Sequence, residues 1–435
     1  MEWSDSLVYT TIPKTIEQFI NDIEEKSRQK NENWGKVFRN TFSNTLLTTV
    51  KILPDGTTFV LTGDIPAMWL RDSTAQVRPY LFFAKNDRSI SDMIKGLVKR
   101  QFMYINIDPY ANAFNETENF AGHQDDHTEM NGFIWERKFE IDSLCYPVQL
   151  AYLLYKNTGR TDQFDEVFTT GIEKILTVFE TEQDHEHSPY VFERDTERLK
   201  DTLTNGGKGA PVKPNGLIWS GFRPSDDACD YGYLIPSNMF AVVVLKYITE
   251  IFTTIRDDQD IVGRAEKLIH DVKEGIKHHA IVKNAAGEEV YAFEIDGFGN
   301  SKIMDDGNVP NLMSAPYLGF CDRDERIYQN TRKTVLSPEN PYFYSGKYAS
   351  GIGSSHTDEN FVWPITLAMQ GLTDTSKEEK ERLLNLLVSI DADTDMMHES
   401  INVDDPTDYT RPWFSWSNMM FCELVMDYFG YQVKV

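Results

Sequence analysis

Four acidic side chains stand where a carboxyl could do chemistry. Asp226 and Asp227 lie in "FRPSDDACDYGY" (222–233), Glu399 lies in "MMHESINVDDPTDYTRPWFSW" (396–416), and Glu359 immediately precedes "NFVWPITLAMQGL". Each has aromatic or apolar neighbours and is followed by an apolar run. A carboxyl in apolar surroundings keeps its proton to higher pH, whereas one with hydrogen-bond donors stays ionised, so two such groups can divide the roles of acid and base. Cleavage of a glycosidic bond needs that division: one carboxyl protonates the leaving oxygen and the other activates water or attacks carbon. Arg223 and Arg411 are available as ion-pair partners for the same acids.

A second group of charges sits in "LTGDIPAMWLRDSTAQVRPYL" (61–81), where Asp64, Arg71, Asp72 and Arg78 mix with Met68, Trp69 and Tyr80. Unpaired buried ions are expensive, so these charges need partners or a polar ligand. Trp69, Trp135, Trp219, Trp363, Trp413 and Trp416 fall at or near the starts of apolar runs, and only Trp3 and Trp34 do not. Aromatic faces pack on sugar C–H groups, and acids paired with arginines satisfy hydroxyls, so the composition points to a neutral carbohydrate. "GHQDDHTEMNG" (122–132) offers His123, Asp125, Asp126, His127 and Glu129 as metal ligands, but no spacing such as H-E-x-x-H supports a metal, and none is expected. The lone G-x-G of 351–353 is too weak a signal to mark a phosphate site without a preceding strand.

The elements that must position these residues are legible as six polar or aromatic stretches, each running into an apolar segment. They begin at Arg71, Ile141, Tyr231, Asn308, Asn360 and Arg411, and each contains a proline, which the first turn of a helix tolerates. Between them lie amphipathic stretches such as "DIVGRAEKLIHDVKEGIKHH", in which Ile261, Ala265, Leu268 and Val272 recur at helical spacing. Buried helices alternating with amphipathic ones predict an all-α chain, a single (α/α)6 barrel of helical hairpins over residues 1–435, with small β-hairpins such as "KNAAGEEVYAFEID" as decoration. Starting all buried helices from one side would bring the acids and tryptophans to one pocket.

The chain's 40% apolar content suffices for a large core, and its formal charge of −25 disfavours nucleic acid and anionic membranes as partners. The acidic opening "MEWSDSLVYTT" lacks a secretory n-region, and no 18-residue apolar span is evident, so a soluble, cytoplasmic protein is expected. Cys145, Cys229, Cys321 and Cys422 are widely spaced without a C-x-x-C pair, which predicts reduced, mostly buried thiols.

Together "TGDIPAMWLRDSTAQVRPYL", "SGFRPSDDACDYGYLIPSNMF" and "HESINVDDPTDYTRPWFSWSNMMF" resemble glycoside hydrolase family 125 over nearly the whole chain. The resemblance implies an exo-acting, inverting, metal-independent α-1,6-mannosidase that takes an α-mannoside oligosaccharide and needs no cofactor. It assigns Asp226 as general acid and Glu399 as general base, and makes Asp64, Arg71 and Asp72 ligands of the terminal sugar. Trp69, His123, Asp227, His356 and Trp413 are expected as further substrate contacts. The competing reading is a catalytically silent glycan-binding protein on the same barrel, in which the two carboxyls would not face one pocket.

Overall fold

Charged or hydroxyl side chains just ahead of amphipathic runs begin one set of helices, and short strands begin the other. The computed structural model describes residues 7–434, so the opening "MEWSDS" and Trp3 lie outside the described residues. The chain lays down α1 (Lys14–Ser27), α2 (Glu32–Asn44), α3 (Leu70–Val77), α4 (Arg88–Ile107), α5 (Ile141–Thr158), α6 (Glu166–Glu182) and α7 (Ile235–Thr254). It continues with α8 (Gln259–Gly275), α9 (Ala315–Leu318), α10 (Arg326–Val335), α11 (Pro364–Leu372), α12 (Lys377–Leu387) and α13 (Ser415–Tyr428).

The even-numbered helices form an outer layer. Their N-terminal N–H groups, which have no partner within the helix, are capped by Asn31, Asp87, Asp165, Asp258, Glu325 and Ser376. Their inward faces carry the expected apolar rows; α8 buries Ile261, Val262, Ala265, Leu268 and Val272. The odd-numbered helices from α3 onward form the inner layer, and α7 and α13 bury residues on all faces. Inner helices pack α3 on α5, α5 on α7, α7 on α9, α11 on α13 and α13 on α3, so the last inner helix meets the first, and α13 also meets α2.

None of the inner helices has a side-chain N-cap; short strands deliver several of them instead. β1 (Met68–Trp69), β2 (Ala113–Phe114) and β3 (Ile134–Glu136) form an antiparallel sheet that leads into α3 and α5. β4 (Tyr233–Leu234) leads into α7, and β5 (Ile281–Lys283) and β6 (Glu289–Tyr291) make the expected hairpin, with Val282 opposite Val290. β7 (Glu294–Ile295) lies between β4 and β8 (Ser301–Lys302), with Glu294 opposite Leu234. β9 (Phe361–Val362), β10 (Ser400–Asn402) and β11 (Tyr409–Thr410) form a third such sheet ahead of α11 and α13. These sheets are structural to the barrel mouth: they fix how inner helices start and therefore where first-turn side chains point.

Three expectations need correction. The Asn308 block contains only the four-residue α9, because Pro310 and Pro316 bar a helix before Ala315 and left-handed Gly319 (φ 92°) ends it. Pro147 lies well inside α5 instead of in its first turn, and Pro79 sits in a 3-10 turn after α3. Helix α7 is also long and apolar enough to cross a membrane by length and composition; it is a core helix, with most of its residues buried in the ring. Cys145, Cys229 and Cys422 are buried free thiols and Cys321 is half-buried.

Candidate active site

Because inner helices begin at one end of the ring, their first turns and the preceding loops line a cavity of about 190 Å³. Its walls include Trp69, Arg71, Asp72, Asp226, His356, Trp363, Glu399, Arg411 and Trp416. Two of the four candidate acids, Asp226 and Glu399, therefore line one pocket.

Adjacent Asp226 and Asp227 point to different environments because of the turn that carries them. An isolated antiparallel bridge joins Phe222 and Ala228, and Arg223 N donates to Asp227 O (2.8 Å) while Asp226 N donates to Arg223 O (2.9 Å). The closure forces Asp226 into the left-handed region at φ 66°, a conformation uncommon outside glycine but tolerated by Asp. Lys138 Nζ, itself buried, donates to Asp226 O at 2.8 Å and pins this backbone. The Asp226 carboxyl lines the pocket, with Oδ1 3.4 Å from Arg71 Nη2.

Asp227 turns away and is fully buried, accepting from Arg198 Nη2 (2.7 Å) and Ser355 Oγ (2.5 Å) and meeting His356 Nδ1 at 3.0 Å. Burial opposes its charge, yet His356, Ser355 and Arg198 outweigh that and hold the carboxyl well below the usual range. In return, Asp227, with Glu399 and Asp226, raises the His356 pKa against the desolvation that would lower it. His356 lines the pocket; Asp227 orients it from behind.

Glu399 immediately precedes β10. Its N–H donates to Thr410 O (3.3 Å) on β11, and Thr410 Oγ1 donates back to Glu399 Oε2 (3.0 Å). Arg411 Nη1 lies 3.4 Å from Glu399 Oε1, and the same guanidinium is clamped by Asp64, with Nε 3.1 Å from both carboxylate oxygens. Asp64 is thus exposed and outside the lining, where it positions Arg411. The clamp depends on the close approach of Gly63 to Phe414: Gly63 has φ 138°, and a Cβ there would stand 2.8 Å from Trp413 O.

Arg71 is buried at the start of α3 among four carboxyls. Its nitrogens lie 3.3 Å from Asp72, 2.6 Å from Glu140, 3.3 Å from Asp142 and 3.4 Å from Asp226. Burial disfavours its charge, but those acids more than compensate and hold it well above the usual arginine value. One cation does not neutralise four anions in so buried a setting, and burial raises Asp72 to about 6 despite Arg71, with Asp226 raising it further. Asp72 Oδ2, Asn308 Oδ1, Trp69 Nε1 and Trp416 Nε1 are buried and have no hydrogen-bond partner. All four residues line the cavity.

Several expected contacts lie elsewhere. Trp413 is half-buried outside the lining and donates from Nε1 to Asn44 Oδ1 (2.9 Å). His123 is largely exposed, 3.8 Å from Glu136, and is also absent from the lining, as is exposed Glu359. Trp219 is core, stacked on His185 with ring centroids 3.4 Å apart. Within 122–132, Asp126 pairs with Arg194 (2.7 Å) and His127 Nε2 lies 3.4 Å from Asp195. The sequence singles out Arg411 as an ion-pair partner but not Asn308 or the buried pair Glu140 and Asp142; the only sequence signal for the last two is "FEIDSL", acids at the start of an apolar helix.

A sequence profile described as metal-independent alpha-mannosidase (GH125) matches residues 31–426. The chain belongs to glycoside hydrolase family 125. This family 125 enzyme is 56% identical to a metal-independent α-mannosidase of Streptococcus pneumoniae, solved as a non-productive substrate complex with alpha-1,6-mannobiose. The match covers 97% of this chain and 99% of that one at a TM-score of 0.96. It is also 38% identical to the meiotically up-regulated gene 157 protein of Schizosaccharomyces pombe over 95% of this chain and 85% of that protein. A bacterial glucoamylase complexed with acarbose shares the (α/α)6 fold, with a TM-score of 0.57 at 11% identity over 95% of this chain and 58% of the other. The chain is an α-mannosidase, a glycoside hydrolase on an (α/α)6 barrel.

Proposed function

We propose that this α-mannosidase removes one terminal α-1,6-linked mannose at a time with inversion, Asp226 acting as general acid and Glu399 as the base that activates water. The observation that carries this reading is that both carboxyls line one small pocket whose remaining wall holds unpartnered donors and acceptors. At about 190 Å³ the cavity is smaller than the roughly 300–1,000 Å³ of pockets that enclose drug-sized ligands, which suits a single sugar ring. The tryptophans supply faces for sugar C–H groups, while the unpartnered oxygens and N–H groups match hydroxyls. The α-1,6 preference follows the mannobiose bound by the pneumococcal relative. Incubation with α-1,6- and α-1,2-mannobiose, read as free mannose, tests the linkage; faster release from the 1,2-linked disaccharide overturns it.

Inversion requires room for a water between base and anomeric carbon. A 1H NMR time course on α-1,6-mannobiose is therefore expected to show β-mannose first, with α-mannose appearing only through mutarotation. Initial release of α-mannose would mean a retaining enzyme.

Asp72 is the clearest sugar ligand by geometry, since it lines the wall and its buried Oδ2, although 3.3 Å from Arg71 Nε, accepts no hydrogen bond. A hydrogen bond to a charged group is worth about 1.5–3 kcal/mol, so Asp72→Ala should lower kcat/KM by about 10–100-fold with the thermal midpoint little changed. Because burial pushes its carboxyl up to about 6, it should accept best above that pH and less well below it. Binding of methyl α-mannoside should weaken below about pH 6 in the wild type, and Asp72→Ala should lose that part of the pH dependence.

A further inference from the structure

We propose that Asp306 is a positioning residue for the general acid: a buried carboxyl that fastens the residue before Asp226 to the loop carrying His356, and so completes a two-sided hold on the acid. The inference rests on the assignment of Asp226 made above. Asp306 lies between β8 and α9, is buried, and takes three donors. Ser225 Oγ donates to Oδ2 (3.3 Å), while Ser354 Oγ (3.0 Å) and the Asn308 N–H (3.4 Å) donate to Oδ1. Each donor belongs to a wall of the pocket. Ser225 lines it and immediately precedes Asp226, and the Ser354 hydroxyl also accepts the His356 N–H (3.1 Å). Asn308 lines it too, and its Nδ2 donates to Pro224 O (3.1 Å). Between Asp306 and Asn308, Gly307 approaches a further wall residue so closely that a Cβ would stand 2.6 Å from Trp363 Cγ.

The other half of the hold is Asp227, the residue after the acid, which meets Ser355 Oγ (2.5 Å) and His356 Nδ1 (3.0 Å) directly. Both neighbours of Asp226 are thus tied to residues 354–356, one through Asp306 and one without an intermediary. The acid between them has φ 66°, and such a backbone persists only where its surroundings over-determine it. Burial, above all, pushes the Asp306 carboxyl above its usual range, with Arg223 opposing, yet that guanidinium is committed to Glu294 (2.6 Å) and Asp230 (3.1 Å). An apolar side chain would fill such a site at less cost. What a carboxyl adds is direction: its two oxygens stand at a fixed angle and hold two hydroxyls, and therefore two loops, in one relative placement. With that link cut, the turn is held on one flank only, and the Asp226 carboxyl loses its alignment with the leaving oxygen.

The test compares wild type, Asp306→Ala, Ser225→Ala, the double variant and Asp226→Asn on α-1,6-mannobiose and on 2,4-dinitrophenyl α-mannoside, whose leaving group needs no proton. The readout is the ratio of the two kcat/KM values, which a loss of folded protein does not move. A misplaced acid slows only the substrate that needs protonation, so Asp306→Ala and Ser225→Ala should each lower the ratio by about 5–30-fold. The double variant should lower it no further than the more affected single one, because both substitutions break one link. An unchanged ratio with equal losses on both substrates marks a purely structural role and overturns the inference, as do losses that multiply in the double variant. If Asp226→Asn itself loses both substrates equally, the acid assignment fails and takes this inference with it; a selective loss in Asp226→Asn alone overturns only the role of Asp306. Should Asp306→Ala not fold, Ser225→Ala decides, since it leaves the carboxyl two of its donors: a ratio equal to that of wild type overturns the proposal.

Discussion

Asp226→Asn is expected to lower kcat/KM for α-1,6-mannobiose by about 10²–10⁴-fold while sparing mannose binding and hydrolysis of an aryl mannoside with an acidic leaving group. An unassisted sugar alkoxide is a poor leaving group, and Asp226 is the pocket carboxyl on the turn that Lys138 braces. The amide preserves size and can still face Arg71 Nη2 only as a neutral acceptor, so the fold should survive. Asp227→Asn separates the neighbours. Asp227 is fully buried with Arg198, Ser355 and His356 as partners, so its loss should act through His356 and stability, lowering activity on both substrates alike. If Asp227→Asn alone showed the leaving-group dependence, the roles of the two residues would be exchanged.

The distinction between those neighbours was not legible in the sequence, for a physical reason. It depends on the left-handed Asp226 backbone, which exists because the strand-like residues at Phe222 and Ala228 pair and Lys138 reaches across from a segment far away in sequence. The same limit applied to tryptophans. Trp413 and Trp416 are three residues apart, but the helix begins between them: Trp416, in the first turn of α13, faces the pocket, while Trp413 precedes the helix and reaches Asn44. The family resemblance makes Asp64 a sugar ligand, yet in the structure it lies outside the cavity lining and clamps Arg411, which comes from the other end of the chain.

What the sequence did carry was local. Outer helices advertise themselves through an Asp, Asn, Ser or Glu cap and an amphipathic row, both short-range signals. Inner helices were visible as apolar runs, and α9 fell short because backbone restriction at two prolines outweighed apolar content. Buried Glu140 and Asp142 escaped notice because acids before a helix ordinarily favour its N-terminus through the macrodipole, so nothing set them apart until Arg71 was seen between them.

Glu399→Gln should be as damaging as loss of the acid, about 10²–10⁴-fold in kcat, and should not recover on the dinitrophenyl substrate, because water activation is needed whatever the leaving group. The geometry suits this role. Thr410 Oγ1 and Arg411 Nη1 both donate to the carboxylate, which fixes its direction, and the Asp64 clamp keeps Arg411 from swinging away. A glutamine keeps the volume but cannot take a proton from water. A small anionic nucleophile that needs no base should therefore rescue it: with azide and the dinitrophenyl mannoside, Glu399→Gln should form β-mannosyl azide, the configuration expected of attack from the face opposite the leaving group. Formation of the α-azide would place the nucleophile on the wrong face and remove Glu399 from the role of base. Asp64→Asn provides the graded counterpart, since a loosened Arg411 should lower kcat more than it raises KM without abolishing turnover.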